Sequence, residues 1–291
     1  MGPATQPVAR PASGPASAPV AGDGVKTPAP RVRVFRTAAE ALDHALASRP
    51  LIVGFGEYHE RVGAPKVDSA IKRFTRDLLE PLAAETTDLV VESWEIDGKC
   101  GAVEKQVVKD VQKTTERPPE TENEVETLLQ RARARHILTH VLSVTCKQYE
   151  EVFGGKTVDY AKMLDLITRQ LRAKAVESWA RRQRRRAEAP PEAAAERRVI
   201  LLYGGALHND LYPREGYEDW SYAAALHQLA GGRFVEVDLF VPEYIRGDED
   251  LVKEAWYPQF LRQTGPDRTL LIERGPGSFI IVFPTTPKPA R

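Results

Sequence analysis

Three apolar runs in this chain stop abruptly on polar residues, and two of them stop on the same pattern. Leu51–Phe55 runs into Gly56-Glu57-Tyr58-His59, and Val199–Tyr203 runs into Gly204-Gly205-Ala206-Leu207-His208. A third run, from Asp88 to Val91, ends on Glu92. Continuous apolar runs this short are what strands buried on both faces require. After the first motif, Val67–Ala84 places Ile71, Phe74, Leu78, Leu79 and Leu82 at helical spacing. Strand, helix, strand of this length is a βαβ unit. The expected fold is therefore α/β, a central and mostly parallel sheet flanked by helices. In such a sheet ligands bind outside the carboxyl ends of the strands, so Glu57, His59, Glu92 and His208 should converge on one crevice. Glycine lets the backbone turn sharply there. If the chain stays extended past Glu57, the i, i+2 spacing puts Glu57 and His59 on one face.

The remainder frames that core. The first 30 residues carry Pro3, Pro7, Pro11, Pro15 and Pro19 among small residues and read as an unstructured tail. Such a spacer suits a domain tethered to a membrane or wall, with a signal or lipid anchor trimmed from its start. Residues 31–291 are expected to form a single α/β domain, in which 37–48 read as a short helix. The charged middle, about 98–157, is expected to be a helical insertion or lid, broken at Glu116–Glu122. Val158–Glu188 reads as a long helix ending in Arg181, Arg182, Arg184, Arg185 and Arg186, taken as a solvated helix end in preference to a nucleic-acid patch. Trp220–Leu229 reads as a helix and Phe234–Phe240 as a strand, while Thr269–Glu273 and Ser278–Phe283 read as a closing β-hairpin across Gly275-Pro276-Gly277.

Composition removes several classes of function. The 291 residues include 41 Lys plus Arg and 41 Asp plus Glu, so no net field draws the chain to nucleic acid or an anionic membrane. No apolar run approaches the roughly 20 residues that cross a bilayer. Cys100 and Cys146 are the only cysteines, either one disulfide or two plain thiols, and too few for a thiolate zinc site. There is no Gly-x-Ser-x-Gly elbow and no P-loop. Gly54-Phe55-Gly56 begins a dinucleotide fingerprint, but His59 stands where its third glycine belongs.

Two carboxylates and two imidazoles support several chemistries. Glu57, His59 and His208 are ligand types for a divalent metal such as manganese, zinc or cobalt, which would activate water. Without metal, a neutral histidine takes a proton from water while an acid positions it. Glu57 buried beside Glu92 would push one carboxyl towards its protonated form. Tyr58 flanks the crevice, Tyr203 is expected to pack, and Asp210 and Asp238 are candidate outer acids. His136 and His140 have the spacing of a helical ligand pair, but nothing beside them supplies a third ligand.

The Gly56–His59 motif after a buried strand, Val90-Val91-Glu92 some way on, and the late Tyr203–His208 segment resemble a superfamily. It joins the ChaN haem-binding lipoproteins, the TraB/Tiki proteases and the erythromycin esterases. Glu directly after Gly makes the first motif most similar to the ChaN branch. The resemblance spans roughly residues 50–95 and 160–215. It implies an α/β fold with a hydrolytic site formed by Glu57, His59, Glu92 and His208, metal-dependent in Tiki-like members. It also implies an arginine on the helix before the second motif, for which Arg172 is the nearest match, although Ala173 follows it where Asp or Asn is usual. The function expected is a hydrolase of ester or amide bonds acting on a small molecule or peptide. The alternative is a non-enzymatic protein of the cell envelope binding haem or another iron ligand through Tyr58 and His59; a cytoplasmic location is the other possibility.

Overall fold

The computed structural model describes residues 30–60, 63–97, 120–153, 158–188 and 198–287. The expected tail, apart from its last residue, and the first part of the expected insertion lie outside these. Strand β1 (Arg31–Phe35) and helix α1 (Ala38–Ala45) lead into β2 (Ile52–Glu57). Helix α2 (Ala70–Arg73) widens into a π turn at Phe74–Leu78 and closes as α3 (Leu79–Ala83). Then come β3 (Thr86–Asp97), α4 (Glu120–Ala134), β4 (Leu138–Thr145), α5 (Cys146–Phe153), the long α6 (Tyr160–Glu188) and β5 (Val199–Gly205). After these follow α7 (Ala223–Leu229), β6 (Phe234–Phe240), α8 (Pro242–Ile245), α9 (Tyr257–Gln263), β7 (Thr269–Gly275) and β8 (Ser278–Val282).

The eight strands form one sheet in the order β1-β7-β8-β6-β2-β5-β3-β4. From β8 to β4 every neighbour is parallel; β7 runs antiparallel to β8, the expected hairpin, and to β1. Alternation along the strands divides the core between two faces. Val53, Phe55, Leu89, Leu201, Tyr203 and Val237 pack against α1, α2 and α4. Ile52, Val90, Ile200, Leu202 and Phe234 pack against α6 and α7. Local chemistry sets the helix starts: Thr37 and Ser69 each accept from the backbone N–H three residues on, at 3.1 Å. The helix expected at Trp220–Leu229 begins three residues later, after a 3-10 turn at Glu218–Trp220.

The middle segment departs most from expectation. It is not only helical: Leu138–Thr145 is β4, the edge strand beside β3. Nor does α4 float as a lid, since Leu128 and Ala132 are fully buried at 0% exposure in the core. His136 adopts φ 58°, a left-handed conformation that breaks the helical path before Ile137. His136 and His140 are thus split between a turn and a strand and form no ligand pair. Only Leu142 and Val144 of β4 are fully buried. An edge strand with so few apolar positions carries no strong alternating signal. Cys146, which opens α5, is disulfide-bonded.

The basic end of α6 is also more than a solvated terminus. Arg181 Nη2 donates to Asp88 Oδ1 at 2.6 Å, and His140 Nε2 meets the same oxygen at 2.8 Å. Asp88 thereby fastens α6 and β4 to β3. Burial alone would raise its pKa, but the bonds from His140 and Arg181 outweigh this and hold it at about 2, against 3.8 for a free carboxyl. Its stabilisation is complete above the free value and is lost as pH falls from there towards 2. Denaturant titrations over this range should show about 2 kcal/mol of acid-dependent stability that Asp88→Asn removes.

Candidate functional site

The three motif-bearing strands are neighbours, because β5 returns between β2 and β3. Gly56 is paired with Gly204, Glu57 with Gly205, and Val91 with Tyr203. The site is built from the two faces of the sheet, whose contributions meet at Gly205.

On the first face, the Tyr203 hydroxyl donates to Glu57 Oε2 at 2.6 Å, and His59 Nδ1 lies 2.7 Å from Glu57 Oε1. A carboxylate accepting from both neighbours puts the proton of His59 on Nδ1 and leaves Nε2 as the basic nitrogen, an assignment made from the hydrogen-bond network. Nε2 points at Gly205, 2.8 Å from where a Cβ there would stand. Tyr203 is thus a positioning residue as well as a packed ring; it also packs against Phe74, tilted by 50° with centroids 4.9 Å apart. The His59 side chain is 31% exposed, whereas Glu57 is 8% exposed.

From the second face comes Glu92. The register of β3 on β4 slips between Val91 and Trp94, so Glu92 and Ser93 form a bulge. Bulges commonly re-aim side chains beside active sites. Here Glu92 Oε2 accepts from the Gly205 N–H at 2.7 Å and stands 2.7 Å from the position of a Cβ on Gly204. Any side chain at 204 would strike it. Glu57 and Glu92 therefore approach from opposite faces instead of lying side by side.

His208 completes this half, its Nε2 4.0 Å from Glu92 Oε2. Its Nδ1 lies 2.8 Å from Thr168 Oγ1 and 3.2 Å from the Trp220 carbonyl. The Thr168 hydroxyl is also 2.9 Å from the Leu164 and Trp220 carbonyls, which only accept. Its proton goes to one of these, so its oxygen accepts from Nδ1–H of His208. Nε2 then faces the Glu92 carboxylate, and a bare lone pair against an anion repels. At 4.0 Å the two are too far apart for a direct hydrogen bond, and they form an ion pair when the imidazole carries a second proton.

The loop carrying His208 rests on a buried ionic cluster. Arg274 on β7 pairs with Glu236, lies 3.2 Å from Asp238 Oδ2 and reaches Asp210 at 3.8 Å. Glu236 also accepts from the Leu211 N–H at 2.9 Å, and Asn209 Nδ2 donates to Asp238 Oδ1 and to the Gly54 carbonyl, both at 3.1 Å. A Cβ on Gly56 would collide with Asn209, with Ala206 and with Asp238. Three acids share one guanidinium here. Burial, then the neighbouring Asp210 charge, pushes the Asp238 carboxyl well above the ordinary carboxylate range. Burial raises Asp210 as well, against the pull of Arg274.

The structure thus brings together Glu57, His59, Glu92 and His208, and places two expected site residues elsewhere. The Tyr58 hydroxyl bonds to Asp248, and its ring packs edge-on against Phe240, 5.8 Å between centroids. Arg172 lies on the exposed side of α6. One turn earlier, Thr168 is the α6 residue that reaches the site. Its signal was available in the sequence, a hydroxyl on the stripe otherwise formed by Leu166, Ile167, Leu171 and Ala175. Arg274 and Glu236 were not singled out, while Asp210 and Asp238 are outer acids as expected. Among the described residues no group of three or more His, Cys, Asp or Glu side chains is arranged to hold a metal ion. The chain matches no protein-family model, no curated protein and no solved structure.

Thr168→Val should cost about 1–2 kcal/mol by leaving the buried His208 donor poorly matched. Nitrogen NMR of the ring should show a weakened Nδ1–H hydrogen bond, left to the Trp220 carbonyl alone, and Thr168→Ser should restore both properties. For Asp238, the native state binds a proton that the unfolded chain releases. Stability should therefore fall as pH rises above the ordinary carboxylate range. Asp238→Asn should flatten that fall in melts across neutral and alkaline pH.

Proposed function

We propose that the chain is a hydrolase of ester or amide bonds, acting on a small molecule or peptide, with His59 as its general base. The observation that carries this reading is the chain Tyr203–Glu57–His59, with contacts of 2.6 and 2.7 Å. It fixes the imidazole so that Nε2 faces the gap above Gly205. There Nε2 takes a proton from water as the water oxygen attacks the substrate carbonyl. Glu57 balances the imidazolium that forms, and Tyr203 keeps Glu57 in place. The Glu92–His208 pair, holding one proton, lies across Gly205 and supplies that proton to the departing alkoxide or amine. The water hydroxyl joins the acyl side, and the pair's proton leaves with the alkoxide or amine. The proton taken up by His59 returns to the pair through solvent before the next turnover. The resemblance of the Gly56–His59 and Tyr203–His208 motifs to the esterase and protease branches supports the same chemistry.

A metal-assisted variant would draw its ligands from His59, Glu92 and His208, since both Glu57 oxygens are engaged by His59 and Tyr203. A bound manganese, zinc or cobalt ion would supply Lewis-acid polarisation of the carbonyl. As arranged, these side chains form no ready coordination set, so no step is assigned to it. The rival reading, a haem or iron-ligand binder, loses one of its two ligands, because the Tyr58 hydroxyl is turned to Asp248. The disulfide at Cys146 supports a location in the oxidising cell envelope. Among the described residues no helix is long and apolar enough to cross a membrane.

A screen of activated esters and amides should find turnover that His59→Ala lowers by roughly 100-fold or more and Glu57→Gln by roughly 10-fold, with the fold intact. Unchanged turnover in His59→Ala would overturn the assignment. Elemental analysis and haemin titration on the same preparation separate the variants. A Soret shift lost in His59→Ala would support the binder, and a stoichiometric divalent ion lost in His208→Ala the metal-assisted enzyme.

A further inference from the structure

The long helix α6 spans the molecule from the site to the opposite edge of the sheet. Thr168, near its start, touches His208, while Arg181, near its end, reaches Asp88 at the beginning of β3. The next residue, Arg182, is 8% exposed. Its guanidinium lies over the Trp179 ring, 4.9 Å from the centroid. Its Nη1 is buried without a hydrogen-bond partner. An unpaired charge in this position is costly to bury.

Other cations lie at the same end of the sheet, where counter-charges would be expected. Arg186 follows four residues later, on the same side of α6. Arg198 immediately precedes β5 and Arg233 immediately precedes β6, the two strands that flank β2. Arg198 shares Glu85 at 3.0 Å. Arg233 donates, among the described residues, to the Arg49 carbonyl, which is neutral. Among the described residues Arg182, Arg186 and Arg233 have no carboxylate partner. Burial, followed by Arg186, Arg233 and Arg198, loosens the hold of Arg182 on its proton. Nothing in the hydrolytic reading uses this cluster, which lies at the other end of the sheet.

We propose that Arg182, Arg186, Arg198 and Arg233 form a binding site for one small phosphate-type oxyanion at the amino-terminal edge of the sheet. Guanidinium groups present forked donors suited to tetrahedral oxyanions. Three positive charges without a carboxylate partner among the described residues favour a dianion over a single carboxylate. The ligand would return a hydrogen bond and a counter-charge to Arg182, so binding should stabilise the fold.

Thermal melts of the full chain test this directly, using inorganic phosphate against chloride and acetate at equal ionic strength. Millimolar phosphate should raise the wild-type Tm by several degrees over either control. Arg182→Met, which keeps the length and removes the charge, should melt in chloride at or above wild type and gain nothing from phosphate. Should that variant fail to fold, Arg186→Gln and Arg233→Gln change exposed positions, and each should weaken phosphate binding several-fold by calorimetry. The proposal is overturned by a wild-type Tm indifferent to phosphate, as expected if the chain's own acids neutralise Arg182. It is equally overturned by a rise that survives Arg182→Met and both glutamine variants, which marks an adventitious ion only. Neither readout involves turnover, so the result stands apart from the hydrolase assignment.

Discussion

Arg274 is the point on which the rest of the arrangement depends. A fully buried guanidinium is tolerated only beside anions, and here it gathers Glu236, Asp238 and Asp210 from β6 and from the loop after β5. That one charge joins the hairpin, the central strands and the loop bearing His208. It leaves the acids in excess, and the excess is accommodated by keeping carboxyl protons that an exposed group would release. Asn209 extends the cluster to the Gly54 carbonyl, so the packing that excludes a side chain at Gly56 comes from the same group of residues. The ionic order and the close packing at the end of β2 have one origin.

The site itself needs both faces of the sheet. Glu57 and His59 belong to the side covered by α2 and α4, and Glu92 and His208 to the side covered by α6. They meet only because the backbone at Gly204 and Gly205 carries no Cβ and because a bulge turns Glu92 inward. This gives the two imidazoles different settings. One is oriented by a carboxylate and is partly open to solvent. The other is buried, oriented by a hydroxyl and faces a carboxylate. An acid–base pair requires such unequal environments, and the sheet itself separates them.

Much of this was legible in the chain because the central strands are buried on both faces. Their apolar runs and abrupt polar ends marked β2, β3 and β5, and with them Glu57, His59, Glu92 and His208. The edge strand β4 was not legible. Half-exposed and charged at its flanks, it presents only Leu142 and Val144 to the core, too weak a pattern beside a helical neighbour. The resemblance points to Arg172, and Thr168 carries no motif, because a motif match gives a position along the helix but not the face that turns inward. Arg274 and Glu236 gave no sign because a buried ion pair between separate strands has no local pattern; only the tertiary pairing reveals it. Tyr58 sits between two site residues, yet extended backbone alternates its direction and carries it to the C-terminal core.

That alternation has a consequence for how the chain is made. The residue between Glu57 and His59 is secured by Asp248, and the His208 loop by Arg274. Both anchors are synthesised long after the motifs that they hold. A ribosome-bound chain that has emitted every residue of the proposed chemistry still lacks the parts that set its geometry. The alignment of these side chains is therefore complete only once the final hairpin has docked. Until then an emerging chain carries Glu57, His59, Glu92 and His208 without the contacts that align them.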